Sequence, residues 1–138
     1  MYLYIILEGC PTVKPRTVLP ILIKGGIQMT KVKIEPGICK FSTLVTATAS
    51  EDEETEVTIK VASGCPSVKK MMEELGSTFD AYEVCLVKPG SGPFFEYANK
   101  NFPVHSGCPI IAGITKCIEA EANLALKADA SIKFLDNE

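Results

Sequence analysis

Apolar and polar residues alternate along three stretches in the first half of the chain, a pattern typical of strands with one buried face. The first two stretches, "KVKIEP" and "FSTLVTATA", are separated by Pro36-Gly37, which favours a turn. The third, "TEVTIKVA", is the clearest, because its apolar residues Val57, Ile59 and Val61 all fall on one face. These stretches predict three consecutive strands joined by short connections.

A helical period then replaces the alternation. Apolar residues recur three and four positions apart from Pro66 until Gly76, and glycine commonly follows the end of a helix. A second helix is predicted to begin at Pro93 and the longest one at Pro109, since proline is favoured at the first helical position. "DAYEVCLVK" is compatible with a short helical turn, and "SIKFLD" (residues 131–136) predicts a last strand.

These elements predict an α+β domain with the order β-β-β-α-α-α-β. Short connections between strands and one late strand favour a four-stranded antiparallel or mixed sheet with about three helices on one face. No change of composition divides residues 29–138, so we expect a single domain there. Its predicted core consists of eight apolar residues from the strands and helices: Val57, Ile59, Val61, Met71, Leu75, Ile111, Ile114 and Ile118.

The first 28 residues differ from the rest because they carry three prolines and no periodicity. The codons of Lys24 to Gly26 can form a purine-rich bacterial ribosome-binding sequence, at ordinary spacing before an ATG for Met29. We therefore interpret residues 1–28 as a translated leader or non-native extension. The alternative is an N-terminal strand, "TVLPILI", which Pro20 would restrict to the edge of a sheet.

Composition narrows the classes of function. A chain of 138 residues that is 46% hydrophobic and 22% charged is typical of a soluble globular domain. Its net charge is −3, and no stripe of basic residues is interleaved with aromatics, so we expect no nucleic-acid partner. No apolar run approaches the roughly 20 residues that span a bilayer, and "MYLYIILEGC" lacks the basic region of a signal peptide. We expect no membrane association and a cytoplasmic location, where thiols stay reduced.

The sequence Ser-Gly-Cys-Pro occurs twice, at residues 63–66 and 106–109, each time before a predicted helix. A residue before proline is pushed away from the α conformation, and proline favours the first helical position. We therefore predict that Cys65 and Cys108 are the N-caps of the two helices. Free amide groups and the helix dipole at such a position favour a reactive, metal-binding thiolate. The glycine before each cysteine permits close approach of another group.

The other cysteines extend this candidate site. Cys39 follows the turn between the first two strands, Cys85 lies in the ambiguous segment, and His105 stands three residues before Cys108. Thiolates and imidazoles are the ligands of zinc sites, and thiolates bind iron–sulfur clusters. The predicted ligands of zinc or of an iron–sulfur cluster are therefore four cysteines, with a histidine able to replace one of them: Cys39, Cys65, Cys85, Cys108 and His105.

Three functions are compatible with these cysteines. We favour a small metal- or cluster-binding accessory domain that works with a protein partner, rather than a stand-alone enzyme. A thiol-dependent redox protein, with Cys65 or Cys108 as the reactive group, is the first alternative. The second is an interaction domain with structural cysteines that forms a homodimer through a sheet edge or a helix face. Cys117 lies on the apolar stripe of the longest helix, so we expect it to be buried.

Two resemblances rest on these residues. From "VKIEPGICKF" to "SIKFLD" the chain resembles a small uncharacterised prokaryotic family, found largely in anaerobes, with single cysteines at similar places. Locally, "IKVASGCPSVKKMMEEL" and "HSGCPIIAGITKCI" resemble the TSCPB domain, which occurs beside vitamin-B12-dependent ribonucleotide reductases. That resemblance implies a metal-binding role for Cys65 and Cys108. The chain has Ser106-Gly107 where that family has Thr-Ser, and it lacks the family's upstream Cys-Gly pair.

Overall fold

Three consecutive antiparallel strands open the fold, as the alternation predicts. The computed structural model describes residues 28–137. The strands are β1 (Met29–Ile34), β2 (Thr43–Ala49) and β3 (Glu56–Ser63), and each pairs with the next along the chain. Alternate residues of each strand are buried, so the sheet has one face toward the core and one toward solvent.

A fourth strand, β4 (Thr78–Asp80), pairs with β3 and completes an antiparallel sheet of order β1-β2-β3-β4. The predicted α+β class and four-stranded sheet are thus confirmed, but the fourth strand is not the predicted one. Residues 131–136, "SIKFLD", form neither helix nor strand and are exposed. The strand beside β3 comes from the segment that directly follows α1, because the chain reverses direction at Gly76, where φ is +84°.

Four helices follow or interrupt the strands: α1 (Pro66–Leu75), α2 (Ala81–Cys85), α3 (Pro93–Asn101) and α4 (Ile110–Glu121). The element order is therefore β-β-β-α-β-α-α-α rather than the predicted β-β-β-α-α-α-β. The segment "DAYEVCLVK", which is compatible with a short helical turn, contains α2. The first two free backbone N–H groups of this helix donate hydrogen bonds to the carboxylate of Asp80. Within residues 28–137, no helix combines the length and apolar character needed to cross a membrane.

The longest helix, α4, crosses the inner face of the sheet and fixes how the helical layer is oriented. Gly113 lies so close to Ile34 that any side chain at this glycine would overlap the isoleucine. One turn later, the thiol of Cys117 lies 3.5 Å from the carbonyl oxygen of Thr30. Because β1 runs from Thr30 toward Ile34, α4 runs antiparallel to it and begins at the Ile34 end.

One buried cluster joins the sheet and the helices, as predicted. Six of the eight predicted core residues are buried in it, and Val61 and Leu75 pack against it from partly buried positions. Ile114 and Ile118 of α4 are completely buried. The interpretation of residues 1–28 as a leader concerns positions that, except for Gln28, lie outside the described residues.

Candidate functional site

Three loops that carry predicted ligands lie at the same end of the sheet. The strand register aligns Ile34 with Thr43, and Thr43 with Ser63, so these residues mark one end, called here the thiol end. The β1–β2 and β3–α1 connections leave the sheet there, and α4 begins there because its first turns pack on Ile34. Four of the five predicted ligands belong to these loops: Cys39, Cys65, His105 and Cys108.

Cys39 occupies a tight turn in the β1–β2 connection. The turn is closed by a 3.0 Å hydrogen bond from the backbone N–H of Lys40 to the carbonyl oxygen of Gly37. Gly37 has φ +92°, a conformation that glycine adopts without strain. The thiol of Cys39 is exposed, which makes it the most accessible of the described cysteines.

Cys65 is the N-cap of α1, as predicted. Its backbone is extended, with φ −75° and ψ 121°, and its carbonyl oxygen accepts the first helical hydrogen bond, from Lys69, at 3.1 Å. Its partly buried thiol makes no capping hydrogen bond to the first turn of the helix.

The residues before Cys65 hold it against β2. The hydroxyl of Ser63 accepts a hydrogen bond from the N–H of Cys65 at 3.1 Å and lies 2.7 Å from the hydroxyl of Thr43. A side chain at Gly64 would come within 3.0 Å of the ring of Phe41. Glycine at this position therefore permits the close approach that the sequence predicts.

The prediction for Cys108 is wrong by one residue, because Pro109 is the N-cap of α4. Pro109 has φ −82° and ψ −3°, and its carbonyl oxygen accepts the first helical hydrogen bond, from Gly113, at 3.0 Å. Pro109 therefore precedes the first residue of the helix, whereas the sequence predicted that it would be that residue. Cys108 lies one position farther from the helix than an N-cap.

Cys108 instead ends a turn that begins at His105. Its N–H donates to the carbonyl oxygen of His105 at 3.4 Å, so the two residues form the ends of a four-residue turn. The turn brings the backbones of His105 and Cys108 close together, and the binding of one ion by both side chains stays a prediction. Nothing lies within 4 Å of where a side chain at Gly107 would project, so the predicted close approach holds only for the first copy of the motif.

Cys85 does not belong to the thiol end. It ends α2, and its thiol makes a long, weak contact of 3.8 Å with the carbonyl oxygen of Thr115 in α4. Burial, together with the negative charge of Glu119, raises the pKa of this thiol to about 12. Cys85 is therefore protonated at neutral pH, and binding a metal would require loss of that proton.

Cys117 is completely buried, which confirms its predicted packing role. Its thiol lies 3.5 Å from the carbonyl oxygen of Thr30 and 3.7 Å from that of Val45. Burial is the main cause that raises its pKa to about 11, and the charge of Glu121 adds to it. A protonated thiol between α4 and the sheet behaves as a small hydrophobic group.

The accessible thiols share one end of the fold without forming a closed site. Within residues 28–137, no three histidine, cysteine or acidic side chains are grouped closely enough to hold a metal ion. Zinc–sulfur bonds are about 2.3 Å long, so an ion bound here would have to draw the three loops together.

Sequence analysis missed two exposed apolar residues at the thiol end. Ile38, next to Cys39, is 95% exposed, and Val104, next to His105, is fully exposed. Phe41 is also partly exposed on the same loop as Ile38. The signal in the sequence is weak, since neither Ile38 nor Val104 belongs to a periodic pattern. Their exposure at the same end of the sheet is visible only once the loops are placed.

Sequence analysis also missed a buried carboxylate at the other end of α4. Glu121 is 2% exposed, and its Oε1 accepts a hydrogen bond from the N–H of Ala49 at 3.0 Å. Among the described residues, neither its Oε2 nor the buried hydroxyl of Thr30 has a hydrogen-bond partner. The only hint in the sequence is that Glu121 lies three residues after Ile118 on the apolar stripe.

Comparison with known proteins identifies a family whose function is unknown. The model of a family of unknown function (DUF6951) matches residues 30–134. No curated protein and no solved structure matches the chain. The match confirms the resemblance to an uncharacterised family, whereas the local resemblance to the TSCPB domain and the occurrence in anaerobes remain predictions.

Proposed function

The chain belongs to this family of unknown function, and we propose that it is a small accessory domain that binds zinc or an iron–sulfur cluster at the thiol end. The observation that carries the proposal is the convergence of three loops with accessible thiols at one end of the sheet. The proposed ligands are three cysteines, with a histidine in the fourth position: Cys39, Cys65, Cys108 and His105.

The environments of the cysteines support this choice of ligands. Metal ligation requires a thiolate, and Cys65 lies at the positive end of α1 without a capping hydrogen bond. Cys108 and His105 are the two ends of one turn, so both can reach the same ion. Cys85 is left out of the proposed set, because burial holds its pKa near 12 and its thiol contacts α4.

The loops also suit a site that closes on binding. Soft thiolate ligands select zinc and iron–sulfur clusters over magnesium or calcium. Cys39 and Cys108 lie on connections outside the helices and strands, so an ion can draw these loops toward Cys65, and Cys108 would then exchange its packing against the core for a bond to the ion. Binding would then order the loops and add to the stability of the fold.

An accessory role fits the surface better than catalysis by the domain alone. Two surface clefts, of about 270 and about 200 Å³, are shallow, and neither is lined by a cysteine or a histidine. At the thiol end, Ile38 and Val104 instead project apolar side chains beside candidate ligands. Exposed apolar groups at a site suit contact with a protein partner.

Metal analysis of protein purified without oxygen tests this proposal. We expect about one zinc ion, or one cluster with its visible absorption, for each chain. Replacement of Cys39, Cys65 or Cys108 by serine should each lower the metal content by tenfold or more. Cys85→Ala is the matched control, because it removes a thiol outside the proposed site and should leave the metal content unchanged.

Two results would refute the proposal. Parent protein without metal, even after incubation with zinc or iron and sulfide, would leave the thiol end without a ligand. Equal metal content in the serine variants and in Cys85→Ala would place the ion elsewhere. Metal retained only by variants with His105 intact would assign the fourth position to that histidine, and His105→Ala tests this directly.

A thiol-dependent redox function is the second candidate, and the position of Cys65 favours it. An N-cap thiol beside free amide groups is a typical setting for a reactive cysteine. The rate of alkylation by iodoacetamide in metal-free protein distinguishes the two functions. Selective modification of Cys65 ahead of the more exposed Cys39 near neutral pH would favour the redox function, and the reverse order would exclude it.

A further inference from the structure

The C-terminal segment, residues 130–136, exposes large apolar side chains that a folded domain rarely leaves in water. Ile132 is 88% exposed, Phe134 is 100% exposed and Leu135 is 87% exposed. The family match extends to residue 134, so most of this segment lies within the matched length of the domain. Its alternation of Ile132, Lys133 and Phe134 is that of a strand with one buried face.

The sheet has an open edge of the kind that such a segment needs. Among the described residues, β1 pairs with β2 and with no strand on its other side. An unpaired strand edge presents backbone donors and acceptors to any further strand. Val32 is the one inward-facing residue of β1 that is only partly buried, although Thr30 and Ile34 on either side of it are buried. A strand added to this edge would therefore cover Val32.

A second copy of the chain is the occupant that fits both features. Eight residues separate Glu121, at the end of α4, from the segment, a reach of up to about 30 Å. Despite this reach, the segment does not lie on the β1 edge of its own chain. A second copy offers the same edge and the same free segment, so the exchange can be reciprocal about a two-fold axis.

We propose that residues 130–136 of each copy add as a fifth strand to the β1 edge of the other copy, forming a homodimer. Ile132 and Phe134 then point toward the core side and cover Val32, while Lys133 points to solvent. The backbone groups of β1 that face away from β2 gain partners in the exchanged strand. The proposal is independent of metal binding, because the β1 edge and the thiol-end loops are different surfaces.

Light scattering coupled to size-exclusion chromatography of the full chain tests the exchange. We expect twice the mass of one chain. Phe134→Asp and a stop after residue 129 should both give monomers with an unchanged melting curve at high dilution, since residues 130–136 are exposed in the single chain. Leu126→Asp is the matched control, because it charges a residue that is 93% exposed but lies outside the segment, and it should remain dimeric.

Hydrogen exchange of the parent protein provides a second, independent measurement. In the parent protein, exchange should be slow at the backbone amides of Lys31, Lys33 and residues 132–134. In Phe134→Asp, the exchange of the same amides should be at least tenfold faster. A monomeric parent would overturn the proposal, whether its β1 edge is protected by its own chain or not. A dimer that persists after removal of the segment would also overturn it, because another surface would then hold the copies together.

Discussion

The side chain of Glu121 takes the place of a strand beside Ala49. The strand register begins with Met29 opposite Thr48, so β1 has no residue within its paired range to accept the N–H of Ala49. The carboxylate of Glu121 accepts it at 3.0 Å and thereby ties the last turn of α4 to the end of β2. A backbone group that would otherwise lack an acceptor is satisfied by a buried side chain.

Glu121→Ala should therefore destabilise the domain. The change leaves the N–H of Ala49 without its acceptor and opens a small cavity, so we expect a loss of about 1–3 kcal/mol in the free energy of unfolding. Glu121→Gln retains an acceptor oxygen for the N–H of Ala49, so it should lose less. Urea denaturation of the three proteins checks the order. An alanine variant as stable as the glutamine variant would contradict the role of the hydrogen bond.

Gly113 should tolerate no side chain, because α4 lies directly on Ile34 there. Even alanine would force the helix away from β1 or push the isoleucine from its position. We expect Gly113→Ala to destabilise the domain by about 1–3 kcal/mol, although alanine is the better helix former. Thermal unfolding measures the effect.

Gly107→Ala is the control for that prediction. No atom lies within 4 Å of its added methyl group, and its φ is not in the region that favours glycine, so its effect should stay within about 0.5 kcal/mol. If Gly113→Ala were as stable as this control, the helix could shift at no cost and the predicted close packing would be wrong.

Much of the fold follows from periodicity in the sequence. Alternation around Val57 and Ile59 identifies a buried strand face, and Pro66 and Gly76 mark both ends of α1. The fourth strand could not be predicted in this way. Thr78–Asp80 is three residues long, too short to show a period, and it forms because the chain reverses after α1. In contrast, "SIKFLD" has the period of a strand but pairs with no strand among residues 28–137.

The candidate site is less predictable than the fold. The sequence identifies Cys65 as an N-cap, because the rule for a residue before proline is local. It cannot show that Cys39 and Cys108 lie at the same end of the sheet. That arrangement depends on the direction of α4, which is set by packing between Gly113 and Ile34, residues far apart in sequence.

The stability of the domain should fall at alkaline pH because of its buried thiols. Burial raises the pKa of Cys117 from 9.0 to about 11, so the folded protein holds a proton that the unfolded chain loses above about pH 9. The resulting stabilisation is complete below pH 9 and is lost as the pH rises toward 11. Urea denaturation at pH 8 and at pH 10 should show a smaller free energy of unfolding at the higher pH.

Cys117→Val isolates this effect from the titration of lysine and tyrosine. Valine fills a similar volume and carries no proton, so the difference in stability between pH 8 and pH 10 should shrink in this variant. Cys39→Val is the matched comparison, because it makes the same substitution at an exposed thiol. Identical pH dependence in all three proteins would show that the buried thiol of Cys117 titrates as it does in the unfolded chain.

The two copies of Ser-Gly-Cys-Pro should respond differently to serine. Cys65 is an N-cap whose thiol makes no capping hydrogen bond, and serine is among the best N-cap residues because its hydroxyl accepts from the first-turn amides. In metal-free protein, Cys65→Ser should therefore raise the stability by about 0.5–1 kcal/mol while it removes a proposed metal ligand. Cys108→Ser should leave the metal-free stability within about 0.5 kcal/mol, since Cys108 precedes the cap.

If the thiol end binds metal, zinc should make the parent protein more stable than Cys65→Ser, the reverse of the order expected without metal. Added zinc should then stabilise the parent protein, because metal binding is coupled to the ordering of the loops, and it should stabilise neither serine variant. Cys65→Ala serves as the control, because alanine removes the ligand without supplying a cap and should show no gain in metal-free protein. Melting curves of the four proteins with zinc and with a chelator check both statements. A metal-free Cys65→Ser no more stable than Cys65→Ala would show that the N-cap geometry of Cys65 cannot be used by a hydroxyl. Equal stabilisation of the parent and both serine variants by zinc would place the bound ion outside the two motifs.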